Sequence, residues 1–354
     1  MQPICIPGVF MWSIWQPARH VFFNSYFLEL AGGNVLVDPL ALLPEQAEEI
    51  GQRGGAAWVI ITNRDHERMA REVAAQFGAK IAASEGDAPL LSGAVDRVLR
   101  DGDEPFSGGR VVTFEGMKSP GEIALSMPQR NAAILGDALW GDPAGRVRLL
   151  DDDKLLDPRA AVLSLRKLWA LRLDVLLVGD GACLFADADR IIGDYLQSRT
   201  EAYVNRINID ELAREVHDEP GEFGAMTYEI GDLIGARKLG YWMIELAPGK
   251  AFCPLHTHQL EEEMLLVCEG EPTVRTSGGS FVCRAGDVVA FPVGDAGAHQ
   301  IRNDSSKPCR VFLLGMDEPE EVCYYPDSDK VAVSARRIRV RASPHLDYYD
   351  GELP

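Results

Sequence analysis

The chain has 354 residues, of which 46% are hydrophobic and 25% charged. That is ordinary globular composition; it excludes a disordered, collagen-like or coiled-coil chain and implies about two domains. The 54 acidic residues outnumber the 35 basic ones and leave a formal charge of −19, which repels nucleic acid and anionic membrane, so neither is an expected partner.

Along the chain, residues 21–38 (VFFNSYFLELAGGNVLVD) read as two strands joined by a Gly-Gly turn. A helix is expected over 44–54, starting near Pro44 and stopping at glycine. A buried strand follows at 56–62, an amphipathic helix at 67–78 and a strand at 80–84. The alternation continues with a strand at 131–137, a helix near 157–171 and a strand at 174–180. Residues 186–215 read as helix and then connection, so residues 1–200 are expected to form an α/β domain and 201–223 a linker. From residue 224 the long helices stop. Short alternating stretches at 239–247, 263–270, 271–276, 280–284, 287–292, 298–303 and 309–316 predict an antiparallel all-β domain reaching residue 354.

The seven cysteines are an odd number without a CxxC pair, and MQPICIPGVFMWSIW lacks the basic stretch and small-residue cleavage site of a signal peptide. No apolar run approaches the roughly 18 residues of a membrane helix. A cytoplasmic protein with reduced thiols is therefore expected.

There are seven histidines, at positions 20, 66, 217, 256, 258, 299 and 345. Taken singly, each is more simply a surface or satisfied core residue. Three of them, however, converge with a glutamate. His256 and His258 stand at i and i+2, so on a strand both point to one face. Glu263 opens the next apolar run, and His299 reaches the same point if the sheet curls back. Three imidazoles and a carboxylate suit one divalent transition metal ion per chain (Fe, Mn, Ni, Cu or Zn).

These residues carry a resemblance. Gly249, His256-Thr257-His258, Glu263 and Gly270, followed by Gly286, Pro292, Gly294, His299 and Asn303, resemble the two motifs of a cupin, with one extra residue before His256 and two between Gly294 and His299. The segments HTHQLEEEMLLVCEGEP, RAGDVVAFPVGDAGAHQIRN and YYPDSDKV resemble a largely uncharacterised group of single-barrel bacterial cupins. The resemblance implies a double-stranded β-helix (jelly-roll) barrel over 224–354 with His256, His258, Glu263 and His299 as metal ligands. Glu261 and Glu262 are rivals for the carboxylate; spacing to Gly270 favours Glu263. The last stretch, SPHLDYYDGELP, is expected to form a strap across the barrel. A homodimer through edge strands is the expected assembly, again from the resemblance.

Residues 20–195 resemble the metallo-β-lactamase fold, an αββα sandwich, in FNSYFLELAGGNVLVDPL, VIITNRDHER, GMKSPGEIAL, ILGDALWG and LLVGDGACL. Its metal-binding histidines are missing. Asn63, Asp65, Glu67 and Arg68 stand where His, His, Asp and His would be, Lys118 and Asp180 replace two further histidines, and His66 is out of register by one; Asp137 alone is as expected. Fixed charge on Arg68 and Lys118 opposes a dication, so the pocket is expected to be degenerate, with its acids and bases closed on one another as ion pairs.

The whole reads as a metal-dependent cupin enzyme (oxygenase, isomerase, decarboxylase or lyase) acting on a small polar molecule, with Glu263 either staying bound or detaching as a general base. Its hydrolase-like domain would be an inactive scaffold. The alternatives are a non-catalytic binding or sensing protein and, more weakly, a hydrolase of the N-terminal domain.

Overall fold

Strict alternation of side chains along short apolar strands settles the layering of the first unit. In the computed structural model, which describes residues 1–200, 202–212, 215–218 and 221–352, the chain divides into Met1–Asn205 and Arg206–Pro354. The first unit holds a seven-stranded sheet in the order Gln2–Pro3, Val9–Gln16, Val21–Leu28, Val35–Val37, Trp58–Ile61, Lys80–Ser84, Arg97–Leu99. A four-stranded sheet runs Val175–Val178, Ala132–Leu135, Ile123–Met127, Arg110–Thr113. Val35, Val37, Ile60 and Ala82 on one face of the first sheet pack against Ile123, Leu125, Ile134 and Leu177 of the second. The opposite faces are covered by helices. Pro44–Gln52 and Ala70–Phe77 sit on the seven-stranded sheet through Ile50, Val73 and Ala74 against Leu36, Val59 and Ile61. Pro158–Ser164, Arg166–Trp169 and Ala188–Ser198 sit on the four-stranded one through Val162, Leu168 and Ile192. The result is four layers, helix–sheet–sheet–helix. Each fully buried Leu or Ile contributes about 2 kcal/mol by its removal from water.

The second unit is all β apart from short 3-10 turns. A six-stranded sheet runs Glu215–Asp218, Gly224–Glu229, Leu239–Leu246, Cys309–Met316, Glu263–Glu269, Val288–Phe291. A three-stranded sheet contains Gly279–Val282, Thr273–Thr276 and Gln300–Arg302, and a four-stranded one contains Thr257–His258, Val322–Tyr325, Lys330–Val333 and Ile338–Arg341. Ile244, Leu265, Val274, Phe291, Ile301 and Val311 fill the interior.

Two sequence expectations shift. Residues 215–218, expected within the linker, pair with Gly224–Glu229 as an edge strand, and the strap falls at 322–341 rather than in the last stretch. Among residues 343–352 no strand is formed. Repeated Pro, Asp and Ser in YYPDSDK disguised a hairpin whose strands are only four residues long.

Candidate functional site

The barrel site begins with a backbone ladder. His256 and His299 exchange both hydrogen bonds, His256 N to His299 O at 3.1 Å and His299 N to His256 O at 3.0 Å. They are therefore direct cross-strand neighbours. His258, two residues on in Thr257–His258, shares their face. The ring centroids lie 4.8 Å (His256–His258), 4.5 Å (His256–His299) and 6.1 Å (His258–His299) apart. The carboxylate comes from another sheet. Glu263 pairs with Phe291 on one side and Gly315 on the other. A Cβ at Gly315 would lie 3.2 Å from Glu263 Cγ and Oε1, so the glycine leaves the side chain its room. Phe291 stacks on His299 at 3.8 Å and shields its outer face.

The donor atoms suit a divalent ion. His256 Nδ1 lies 3.0 Å from Pro254 O and His299 Nδ1 2.9 Å from Gly297 O. Donation to these carbonyls leaves both Nε2 lone pairs free for the centre. Glu263 Oε2 lies 3.4 Å from His258 Nε2 and 3.0 Å from His299 Nε2. Yet Glu263 Oε2 and His258 Nε2 are buried without a well-aligned hydrogen-bond partner. Such orphaned polar atoms are costly unless something else satisfies them. Ligand atoms of His256, His258 and Glu263 lie within 4.8 Å of one another, and His299 joins them through Glu263.

Burial would lift the Glu263 carboxyl, but the adjacent His258 and His299 imidazoles hold it below the usual carboxylate range. Burial, reinforced by His299 and His258, lowers His256 to about 4. Burial also opposes a charge on His258, but Cys323, Glu261 and Glu263 overcome it and raise His258 to about 12.

The strap completes the site. Cys323 pairs with His258 and Tyr324 with Thr257. Glu321, 2% exposed, accepts three successive backbone N–H groups, from Gln259 (2.8 Å), Leu260 (3.0 Å) and Glu261 (2.8 Å). Glu261 returns the contact, its Oε1 accepting from Glu318 N at 2.7 Å. The loop between His258 and Glu263 is thus clamped from both sides, and Glu261 spans from Glu318 N to His258, its Oε2 3.3 Å from His258 Nδ1. Cys253 Sγ lies 3.7 Å from His256 Nδ1, and burial pushes its thiol up to about 12. Nothing in the sequence pointed to Glu321; its partners are backbone amides more than 50 residues away, which leave no side-chain pattern to read.

In the first unit the predicted pocket residues fall into separate groups. Asn63 caps the turn Arg64–His66, with Oδ1 accepting from Asp65 N and His66 N, and its Nδ2 donates to Glu122 Oε1 at 3.2 Å. Asp65 pairs with Lys118 at 2.5 Å, both partly exposed. Glu67 turns outward to Arg71 and Ser92. Only Arg68, Asp137 and Asp180 meet in the interior, and they meet around His66, the residue one position out of register. The turn over 64–66 carries the imidazole inward. Its Nδ1 lies 2.8 Å from Asp38 Oδ2, and its Nε2 3.5 Å from Asp137 Oδ1 and 3.9 Å from Asp180 Oδ1. Gly179 makes this possible, since any Cβ there would strike His66 Cε1.

Arg68 occupies the remaining approach. Its backbone takes φ 39°, unusual for a residue with a side chain. Its Nη2 lies 2.8 Å from Asp180 Oδ1 and 3.1 Å from His66 Nε2. Burial and the Arg68 charge oppose a proton on His66, but Asp137 and Asp38 outweigh them and raise it to about 10. Burial raises Asp180 to about 6 despite His66 and Arg68. Burial also raises Glu122 well above its ordinary value, and Glu122 Oε2 is unpartnered. His66, Asp137 and Asp180 have ligand atoms close enough for an ion, but the guanidinium faces the lone pairs a metal would need.

A four-layer αββα sandwich and a barrel carrying HxH, Glu and His define two metalloprotein folds in one chain. The chain belongs to the metallo-β-lactamase superfamily, whose model matches residues 1–198, and a cupin domain matches residues 242–315. No curated relative matches it. Similar solved structures include a cupin-superfamily sugar phosphate isomerase from Silicibacter pomeroyi, 25% identical over 41% of this chain and 98% of that one, TM-score 0.36. A metallo-beta-lactamase from Pontibacter korlensis is 15% identical over 56% of this chain and 98% of that one, TM-score 0.46. The polyketide cyclase RemF from Streptomyces resistomycificus is 22% identical over 32% and 79%, TM-score 0.28.

Proposed function

We propose that the barrel is a metal-dependent enzyme acting on a small polar molecule, and that the first unit is a scaffold without hydrolytic activity. The observation that carries this is the pair of buried, orphaned donors, His258 Nε2 and Glu263 Oε2, beside two imidazoles already oriented by carbonyls. One Fe, Mn, Ni, Cu or Zn ion held by His256, His258, Glu263 and His299 would supply Lewis-acid or redox chemistry suited to oxygenation, isomerisation, decarboxylation or lyase reactions. The chain's own residues do the rest. Pro254 O and Gly297 O fix two imidazoles, Phe291 keeps water from His299, and Glu263 stays an ionised carboxylate able to remain bound or to accept a proton. Cys253 is a half-buried thiol and contributes packing. The reading includes a homodimer in a reducing cytoplasm. It is supported by seven free cysteines and by an outer strand, Val288–Phe291, with Val288 exposed. Among the described residues no helix is long and apolar enough to cross a membrane.

Metal analysis after dialysis tests the proposal. About one transition-metal ion per chain is expected in the native protein, and none after combined His256→Ala and His258→Ala; stoichiometric metal in that variant would sink the assignment. Retained metal with no turnover of any carboxylate, diketone or sugar substrate would instead favour a sensor.

A further inference from the structure

The strap concentrates positive charge in an acidic chain. Residues 330–341 contain Lys330, Arg336, Arg337, Arg339 and Arg341 and no acid, within a chain of net charge −19. The register of the four-stranded sheet says where these cations go. His258, Cys323, Ala332 and Arg339 are successive cross-strand partners, and Tyr325, Lys330 and Arg341 form the row two residues further on. Because side chains two apart share a face, Lys330, Arg339 and Arg341 stand on the face that carries the metal-binding histidines.

Contacts confirm the continuity. The Tyr325 ring stacks on His256 at 5.9 Å, Lys330 Nζ lies 5.1 Å from the Tyr325 centroid, and Arg339 interacts with the Tyr325 hydroxyl. One aromatic ring therefore separates the imidazoles from the nearest ammonium. The neighbouring acids are committed elsewhere. Asp327 makes a two-pronged pair with Arg275 at 2.6 and 2.8 Å, and Asp329 accepts from Tyr324, whose side chain leaves the other face, at 3.2 Å. Among the described residues no ion pair engages Lys330, Arg339 or Arg341.

We infer that this face is the anion-binding half of the active site: Lys330, Arg339 and Arg341 hold a carboxylate or phosphate group of a small organic anion whose other end reaches the centre at His256. The inference rests on the metal-dependent reading above and names its substrate class. Three features argue for it. A guanidinium fork matches two oxygens of a carboxylate or phosphate. The centre itself, lined by Glu261, Glu263 and Glu321, would repel an anion unless cations stood nearby. In an acidic chain, a local positive face beside the site concentrates anions there. Arg336 and Arg337 lie in the hairpin turn, off that face, and serve as an internal control.

The test uses the full metal-loaded chain at low ionic strength, with inorganic phosphate, succinate and uncharged glycerol as probes in calorimetry, and with metal content measured on the same samples. Binding of phosphate or succinate but not glycerol is expected, the two anions separating an ester-type from a carboxylate substrate. Lys330→Ala combined with Arg339→Ala should weaken it by about tenfold or more with metal content unchanged, whereas Arg336→Ala with Arg337→Ala should leave it as it was. Equal anion affinity in the Lys330/Arg339 variant, an equal loss in the control, or no anion binding by the native chain would overturn the inference while leaving the metal centre standing. Absence of metal from the native chain would overturn the metal-dependent reading and the inference with it.

Discussion

Two pockets in this chain meet the same electrostatic problem with opposite solutions. Each gathers histidine and carboxylate in a buried place. In the barrel, Glu263 Oε2 and His258 Nε2 lie close together yet lack a well-aligned hydrogen-bond partner, and the imidazoles are braced from behind by Pro254 O, Gly297 O and the strap. In the first unit the corresponding acids, Asp137 and Asp180, are answered from within by Arg68 and His66. Buried charge has to be compensated. A cation taken from solution makes a site that can be loaded and emptied; one supplied by a side chain makes a permanent part of the core.

The sharpest way to break that contrast is to remove the internal cation. Arg68→Ala should cost about 3–5 kcal/mol, because it strands Asp180 and its neighbours. At 2–4 °C per kcal/mol that is a drop on the order of 10 °C in the melting of the first unit. Added zinc should restore part of it in the variant and leave the native first unit unmoved. A variant as stable as the native protein would show that Arg68 is not the compensating charge.

A smaller effect is expected from Glu321→Gln in the barrel. A carboxamide cannot accept all three amides of Gln259, Leu260 and Glu261, so the loop ahead of Glu263 loosens. Metal affinity should fall about 10–100-fold, read by competition with a chromophoric chelator, while circular dichroism stays native. Undiminished affinity would reduce the clamp to a structural detail.

The mildest prediction concerns pH. His66 has a folded-state pKa of about 10, raised above the ordinary value near 6.5. Its stabilisation is complete below that ordinary value and is lost as pH climbs through 10. Melting of the first unit should therefore drop by on the order of 5 °C between pH 7 and 10, and His66→Gln should flatten that slope. An identical slope in both proteins would mean that His66 does not hold its proton.

How much of this was legible in advance follows from the kind of signal each part leaves. Strand–helix alternation and HxH…Glu…His are local patterns, and the elements at 44–52, 80–84 and 263–269 stand close to where periodicity put them. The edge strand at 215–218 and the hairpins after 322 have four-residue strands interrupted by turn formers, too short for periodicity to register. The pocket of the first unit was misjudged for a different reason. Motif register assigned Asp65 and Glu67 to it and set His66 aside, but a single 3-10 turn rotates His66 inward and sends Glu67 to Arg71. Side-chain direction within a turn is decided by packing against Gly179, far along the chain.

The two-residue strand Thr257–His258 has one further implication, for the order of events during synthesis. Its partner is Val322–Tyr325, and its loop is anchored by Glu321. A nascent chain emerging from the ribosome displays all four side chains of the proposed metal centre once His299 is out, but lacks the segment that aligns them until some 25 residues later. The centre thus becomes geometrically competent only late in the synthesis of the barrel. A chain cut short before residue 321 would carry the full ligand set and still load metal poorly, so occupancy reports that translation reached the strap.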